Sequence, residues 1–162
     1  GEKKLSSVMN VAIDVFDQLG VDGLVQISNI KIPELLVEMF DELTIDDFRH
    51  INIEKFLNLK VEWLEKLVYL QYVEQIDEVI AIAPESIKIE LYKMKELCEE
   101  TNCKKSVLAP MYYAKTLYYD ELFFRVIEKN EVYARGGRYK NEELTSVGFA
   151  IYTDALCEKL SK

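Results

Sequence analysis

The chain has 162 residues, 49% of them hydrophobic and 30% charged. That is one domain of ordinary size, able to bury roughly 70% of the surface its unfolded chain would expose. It is too apolar for disorder and too interrupted by charge for a membrane span. Twenty basic groups against 29 acidic ones leave a formal charge of −9, which repels nucleic acid and anionic lipid, so neither is expected as a partner.

Leu5, Val8, Met9, Ala12, Phe16 and Leu19 recur at three- and four-residue spacing and predict an amphipathic helix. Gly20 follows, where helices commonly end in a left-handed residue. The stretch from Val21 to Ile30, with Leu24, Val25 and Ile27, predicts a short buried strand. Pro33 pre-sets a second helix start, continued by Leu35, Leu36, Met39 and Phe40. From Thr44 to about Thr101 the pattern stays helical, broken at Pro84-Glu85-Ser86. The last long helix carries Ile87, Leu91, Met94 and Cys98 on one stripe. Lys88, Lys93, Lys95 and Glu99 lie opposite, as an expected solvated face.

The texture changes at Lys105. Ser106 to Leu108, Leu117 to Glu128, Glu131 to Tyr139 and Thr145 to Thr153 are rich in tyrosine, phenylalanine and β-branched residues, and predict strands of one antiparallel sheet. A short helix from Ala155 to Leu160 closes the chain. The expected class is α+β, a helical block set between an early strand and a late sheet.

Cys98, Cys103 and Cys157 form no disulfide framework, and Glu2, Lys3 and Lys4 lead into a helix rather than a signal-like apolar stretch. A reducing cytoplasm is the expected compartment. His50, the single histidine, lies far from the cysteines, so no metal site is expected. Gly1 is either a tag remnant or the start of a piece cut from a longer protein.

Chemistry-bearing residues collect in the late sheet. Three of the four arginines, Arg125, Arg135 and Arg138, fall there beside Tyr112, Tyr113, Tyr118, Tyr119, Tyr133 and Tyr139. Arginine and tyrosine on rigid strands suit a small polar or anionic ligand, and equally a charge-protected sheet edge. Register decides between arrangements. A two-residue turn at Lys129-Asn130 sets Glu121 opposite Arg138 as an ion pair. A three-residue turn brings Tyr119 and Glu121 to the face of Tyr139 and Arg135. Gly136-Gly137 within a strand marks a bulge or a close approach.

Tyr118-Tyr119, Leu122-Phe123-Phe124, Ala134-Arg135-Gly136-Gly137-Arg138-Tyr139 and Val147-Gly148-Phe149-Ala150-Ile151 come in an order that resembles the C-terminal half of the histidyl-tRNA synthetase catalytic domain, which reads YYTG…FE, GGRYD and GFAIG. The same pattern marks its catalytically inert paralogue, the regulatory subunit of ATP phosphoribosyltransferase. The stretch from Leu19-Gly20 to Leu35-Leu36, with Gln26-Ile27-Ser28-Asn29 as its strand, is similar to the segment after class II motif 2. The resemblance implies part of a class II synthetase-like antiparallel sheet with flanking helices and a helical insertion. Residues 1–43 and 102–162 are then the sheet region, and 44–101 the inserted helical subdomain.

By the same resemblance, Tyr118, Tyr119, Gly136, Gly137, Arg138 and Tyr139 line a histidine-like pocket, with Arg138 bracing the sheet through a carboxylate such as Glu121. The departures matter as much. The arginine of the RGLDYY segment falls at Ala114, its aspartate at Leu117, and the motif 3 arginine that clamps ATP at Ala155. Asp120-Glu121 replace Thr-Gly and would fill the pocket. Motifs 1 and 2 are absent. An adenylating site needs cations against the triphosphate, so no catalytic residue and no cofactor is expected. The resemblance instead implies a regulatory subunit at the first step of histidine biosynthesis. Its partners are a catalytic ATP phosphoribosyltransferase subunit, histidine, and a second copy in the full-length form. Two alternatives are a divergent amino-acid-activating enzyme completed by an N-terminal half, and a structural module without ligand.

Overall fold

The computed structural model describes residues 4–101, 106–114, 119–141 and 144–161, with the backbone alone at 119–120, 139–141 and 144–146. Helix α1 (Leu5–Gln18) buries Leu5, Val8, Met9, Ala12 and Phe16, the stripe that its spacing predicts, and Gly20 ends it at φ +71°. Strand β1 (Leu24–Asn29) follows. In α2 (Lys31–Met39) Pro33 stands within the first turn, where a missing N–H removes no helical bond. The Asn29 side chain accepts the Lys31 N–H at 3.0 Å and caps that turn.

The helical block is more broken than its sequence pattern suggests. It comprises α3 (Ile45–Arg49), α4 (Ile53–Asn58), α5 (Glu62–Val68), a 3-10 turn (Val73–Gln75), α6 (Ile76–Ile80) and α7 (Glu85–Glu100). Left-handed residues at Ile51 (φ +45°) and Lys60 (φ +55°) reverse the chain between the first three. Burying the Phe48 and Phe56 rings against each other, centroids 4.9 Å apart, holds these short helices where propensity alone would not. Pro84 caps α7. Side chains from α1 to α7 join those of the sheet in one continuous buried cluster.

Strands β2 (Ser106–Leu108), β3 (Tyr119–Glu128), β4 (Glu131–Asn141) and β5 (Leu144–Ile151) complete a five-stranded sheet of order β2-β1-β3-β4-β5, and α8 (Thr153–Leu160) closes the chain. The sheet is antiparallel except at its edge: β2 pairs with β1 in parallel. The predicted all-antiparallel arrangement is corrected there, because the helical block returns the chain to the same end of the sheet from which β1 started. Among the described residues no helix is long and apolar enough to cross a membrane.

Candidate functional site

Register sorts the late sheet into two faces. Lys129 (φ +55°) and Asn130 form a two-residue turn, with Glu128 opposite Glu131. One extra residue on β4, Tyr133, then shifts the pairing between Ile127 and Val126, so that Arg125 stands opposite Arg135. The turn is that of one predicted register and the facing that of the other. Glu121 is therefore not the partner of Arg138. It binds Lys93 of α7, Nζ to Oε1 at 3.1 Å.

The inner face packs on the helices. Ile27, Phe124, Val126 and Ala134 are buried there. A Cβ on Gly136 would meet the Phe124 ring at 2.4 Å and the Gly148 carbonyl oxygen at 2.8 Å, so the ring occupies the space that glycine vacates. Beside it a half-open cavity of about 310 Å³ lies between α1, α7 and the sheet, lined among others by Lys4, Lys93, Glu96, Glu100, Glu121 and Arg138. Part of the charge here is paired, through Lys93. Glu90, only 4% exposed, accepts from Asn29 Nδ2 and from Lys93 Nζ, both at 3.1 Å. Burial pushes the Lys93 ammonium down, but its hydrogen bonds to Glu121 and Glu90 outweigh that and hold it above the ordinary lysine value. The lysine stripe of α7 is thus no uniform solvated face.

The outer face is built from the alternate residues. Gln26, Arg125, Arg135 and Ala150 form one row across β1, β3, β4 and β5, and Ser28, Phe123, Gly137 and Gly148 form the next. Phe123 is fully buried under the segment leading into β3, against Tyr112, Tyr113 and Ala114. Arg125 Nε donates to Gln26 Oε1 at 2.9 Å, its Nη2 donates to the same oxygen, and its guanidinium lies 4.0 Å from the Tyr112 ring centroid. Burial lowers the Arg125 pKa below the ordinary arginine value. The Tyr112 hydroxyl opposes that shift and the neighbouring Arg135 adds to it. Among the described residues the buried Nε of Arg135 and Oγ of Ser28 have no hydrogen-bond partner.

The six residues predicted for the pocket are thus divided. Tyr118 lies outside the described residues. Tyr119 and Tyr139 are paired in register by their backbones. Gly136 and Arg138 belong to the inner face, and Gly137 to the outer one. Sequence reasoning counted Arg125 and Arg135 with Arg138 as suited to a small polar or anionic ligand, or to a charged sheet edge, without separating the three. It missed Gln26, whose amide fixes the Arg125 fork, and period-2 alternation from the buried Val25 and Ile27 was the available signal. Among the described residues no three of His, Cys, Asp and Glu converge as metal ligands.

No family model matches the chain. It is 36% identical to the ATP phosphoribosyltransferase regulatory subunit of Wolinella succinogenes over 160 residues, covering 99% of this chain and 55% of that protein. To that of Helicobacter hepaticus it is 34% identical, covering 99% and 56%. The chain thus spans about half the length of the curated relatives it matches. Among solved structures, an ATP phosphoribosyltransferase regulatory subunit/histidyl-tRNA synthetase from Bacillus halodurans superposes with a TM-score of 0.81 at 18% identity, over 100% of this chain and 51% of that one. The ATP phosphoribosyl transferase (HisG:HisZ) complex from Thermotoga maritima gives 0.59 at 18% identity, over 90% and 60%. Over nearly its whole length the chain has the class II synthetase-like fold and is similar in sequence to the ATP phosphoribosyltransferase regulatory subunits.

Proposed function

We propose that the protein carrying this chain is a regulatory subunit of ATP phosphoribosyltransferase, acting at the first step of histidine biosynthesis in the cytoplasm. The observation that carries this reading is the 34–36% identity, over 99% of the chain, to two proteins of that name. The protein does no chemistry of its own. Ala114, where the resemblance puts the synthetase arginine, is buried, and neither it nor Ala155 offers the cation that a triphosphate in reaction demands. The partner is a catalytic subunit, and the name of the Thermotoga maritima complex supports such an assembly. Histidine is the effector, read on the outer face of the sheet beside Gly137, and the full-length protein pairs with a second copy. Residues 44–101 are the helical insertion between the two stretches of the sheet region.

Co-purification of the full-length protein with the catalytic subunit tests this reading. A stable complex whose phosphoribosyl transfer falls on adding histidine is expected. Pyrophosphate exchange with any amino acid by the full-length protein alone favours the activating enzyme instead. No complex and no change in catalytic-subunit activity on mixing rules out the regulatory role.

A further inference from the structure

Several cations of this protein are neutralised locally. Arg49, Lys55, Lys93, Lys95 and Lys159 each have a carboxylate oxygen within 3.1 Å. Arg125 and Arg135 differ. They are direct cross-strand partners on one face of the sheet, an arrangement that places like charges side by side and destabilises the pair. Among the described residues neither meets a carboxylate. Arg125 is held by a neutral amide and an aromatic ring, and Arg135 Nε is buried with no acceptor. With 29 acidic residues in the chain, the lack of a carboxylate at this pair is a feature of the site rather than of composition.

The cross-strand neighbours of the pair, Gln26 and Ala150, are uncharged. Ala150, beside Arg135 on β5, carries no acceptor and is exposed. The neighbouring row holds Gly137 directly opposite Gly148, two residues without side chains, of which Gly137 is buried. Gln26 fixes the fork of Arg125 through two of its donors, and Tyr112 covers one of its flat sides. The remaining donors of Arg125 and the unsatisfied Nε–H of Arg135 are then left for an acceptor from outside. Planar, multi-donor guanidinium groups favour carboxylate and phosphate over a spherical anion.

We propose that Arg125 and Arg135 form a binding site for a compact oxyanion, a carboxylate or a phosphate group, on the outer face of the sheet. The anion relieves the repulsion between the two guanidinium groups and satisfies the Arg135 Nε–H. Arg135 directly precedes the GGRYD-like run and Arg125 lies on the neighbouring strand, and the site does not depend on the regulatory role. A failed association with a catalytic subunit leaves it standing.

Titration calorimetry on the full-length protein tests it, with inorganic phosphate and acetate as probes and chloride at matched ionic strength as the reference. Saturable binding of one probe is expected, and the tighter probe identifies phosphate or carboxylate as the group recognised. Arg135→Gln is expected to weaken binding at least about tenfold, as loss of a charge-assisted bond does. Arg135 makes no described side-chain hydrogen bond, so this variant folds even where Arg125→Gln does not. Lys66→Gln removes the same unit of charge on the helical block and is expected to leave binding unchanged. Binding no stronger than chloride, binding that survives Arg135→Gln, or an equal loss in Lys66→Gln overturns the proposal.

Discussion

The two faces of the sheet treat the same kinds of residue in opposite ways. On the inner face, buried Glu90 is tied to Asn29 and Lys93, and Lys93 reaches on to Glu121, so that α7, β1 and β3 share one closed polar network. On the outer face two arginines stand opposite each other, with an amide and a ring for company. Both sets draw residues from β1 and β3, the inner one Asn29 and Glu121 and the outer one Gln26 and Arg125. The inner set binds elements together and leaves its charges answered. In the outer set Arg125 ties β1 to β3 through Gln26, while Arg135 keeps its donors in hand, which suits recognition rather than stability. A sheet can thus serve as a core wall on one side and a receptor on the other.

The contrast is broken most forcefully at Phe124, which is 1% exposed within the helix-facing core. Phe124→Ala is expected to cost about 3–5 kcal/mol, the transfer loss plus the cavity, measured as the drop in unfolding free energy in urea. Next comes Gly136→Ala. Its methyl group would stand 2.4 Å from that ring and 2.8 Å from a β5 carbonyl, and overpacking of this kind costs about 2–3 kcal/mol. The double variant is the sharper measurement. If the ring is what the added methyl group strikes, Phe124→Ala relieves much of the second penalty. Strict additivity would show that the strain comes from the β5 backbone instead.

Lys93→Met separates charge from packing on the same face. It leaves Glu90 buried with Asn29 alone. Because Lys93 itself is 37% exposed, the expected loss is about 1–3 kcal/mol, below that of a fully buried pair. The pH dependence has a definite sign. The Lys93 pKa is raised above 10.5 in the folded protein, so its contribution is complete below that value and disappears as pH rises through the folded pKa. Between about pH 9 and 12 the wild type should lose stability relative to Lys93→Met, narrowing the gap. A constant gap would mean that the lysine acts through its aliphatic stem.

Much of the scaffold could be read from residue periodicity, because α1 and β1 bury the stripes that their spacing marks. The broken helices α3 to α6 could not. Left-handed Ile51 and Lys60 carry no glycine to announce them, and only the meeting of Phe48 with Phe56 accounts for the turns. The same holds for the site. The basic cluster at 125–140 was visible, and so was the turn at Lys129-Asn130. Which arginines face which neighbours rests on the single extra residue at Tyr133. A bulge of this kind arises from long-range pairing and leaves no local signature. Glu90 was equally silent, since a glutamate amid helical charge reads as solvated until its partner Asn29 on β1 is known.

The smallest expected effect falls on the outer face and is the most telling. Arg135→Gln removes a cation just as Lys93→Met does, yet no carboxylate among the described residues loses its partner. What disappears is the repulsion across β3 and β4, so stability should stay within about 0.5 kcal/mol of the wild type or rise by that amount. Added salt screens such repulsion. Any gain should therefore shrink between about 0.05 and 0.5 M sodium chloride, a range over which the screening length falls severalfold. Urea unfolding at each concentration checks this. A loss of about 2 kcal/mol, comparable with Lys93→Met, would show that Arg135 is held by an anion the folded protein already keeps. The outer face would then be a wall like the inner one. A neutral or favourable change leaves Arg135 as a group that the fold tolerates rather than needs.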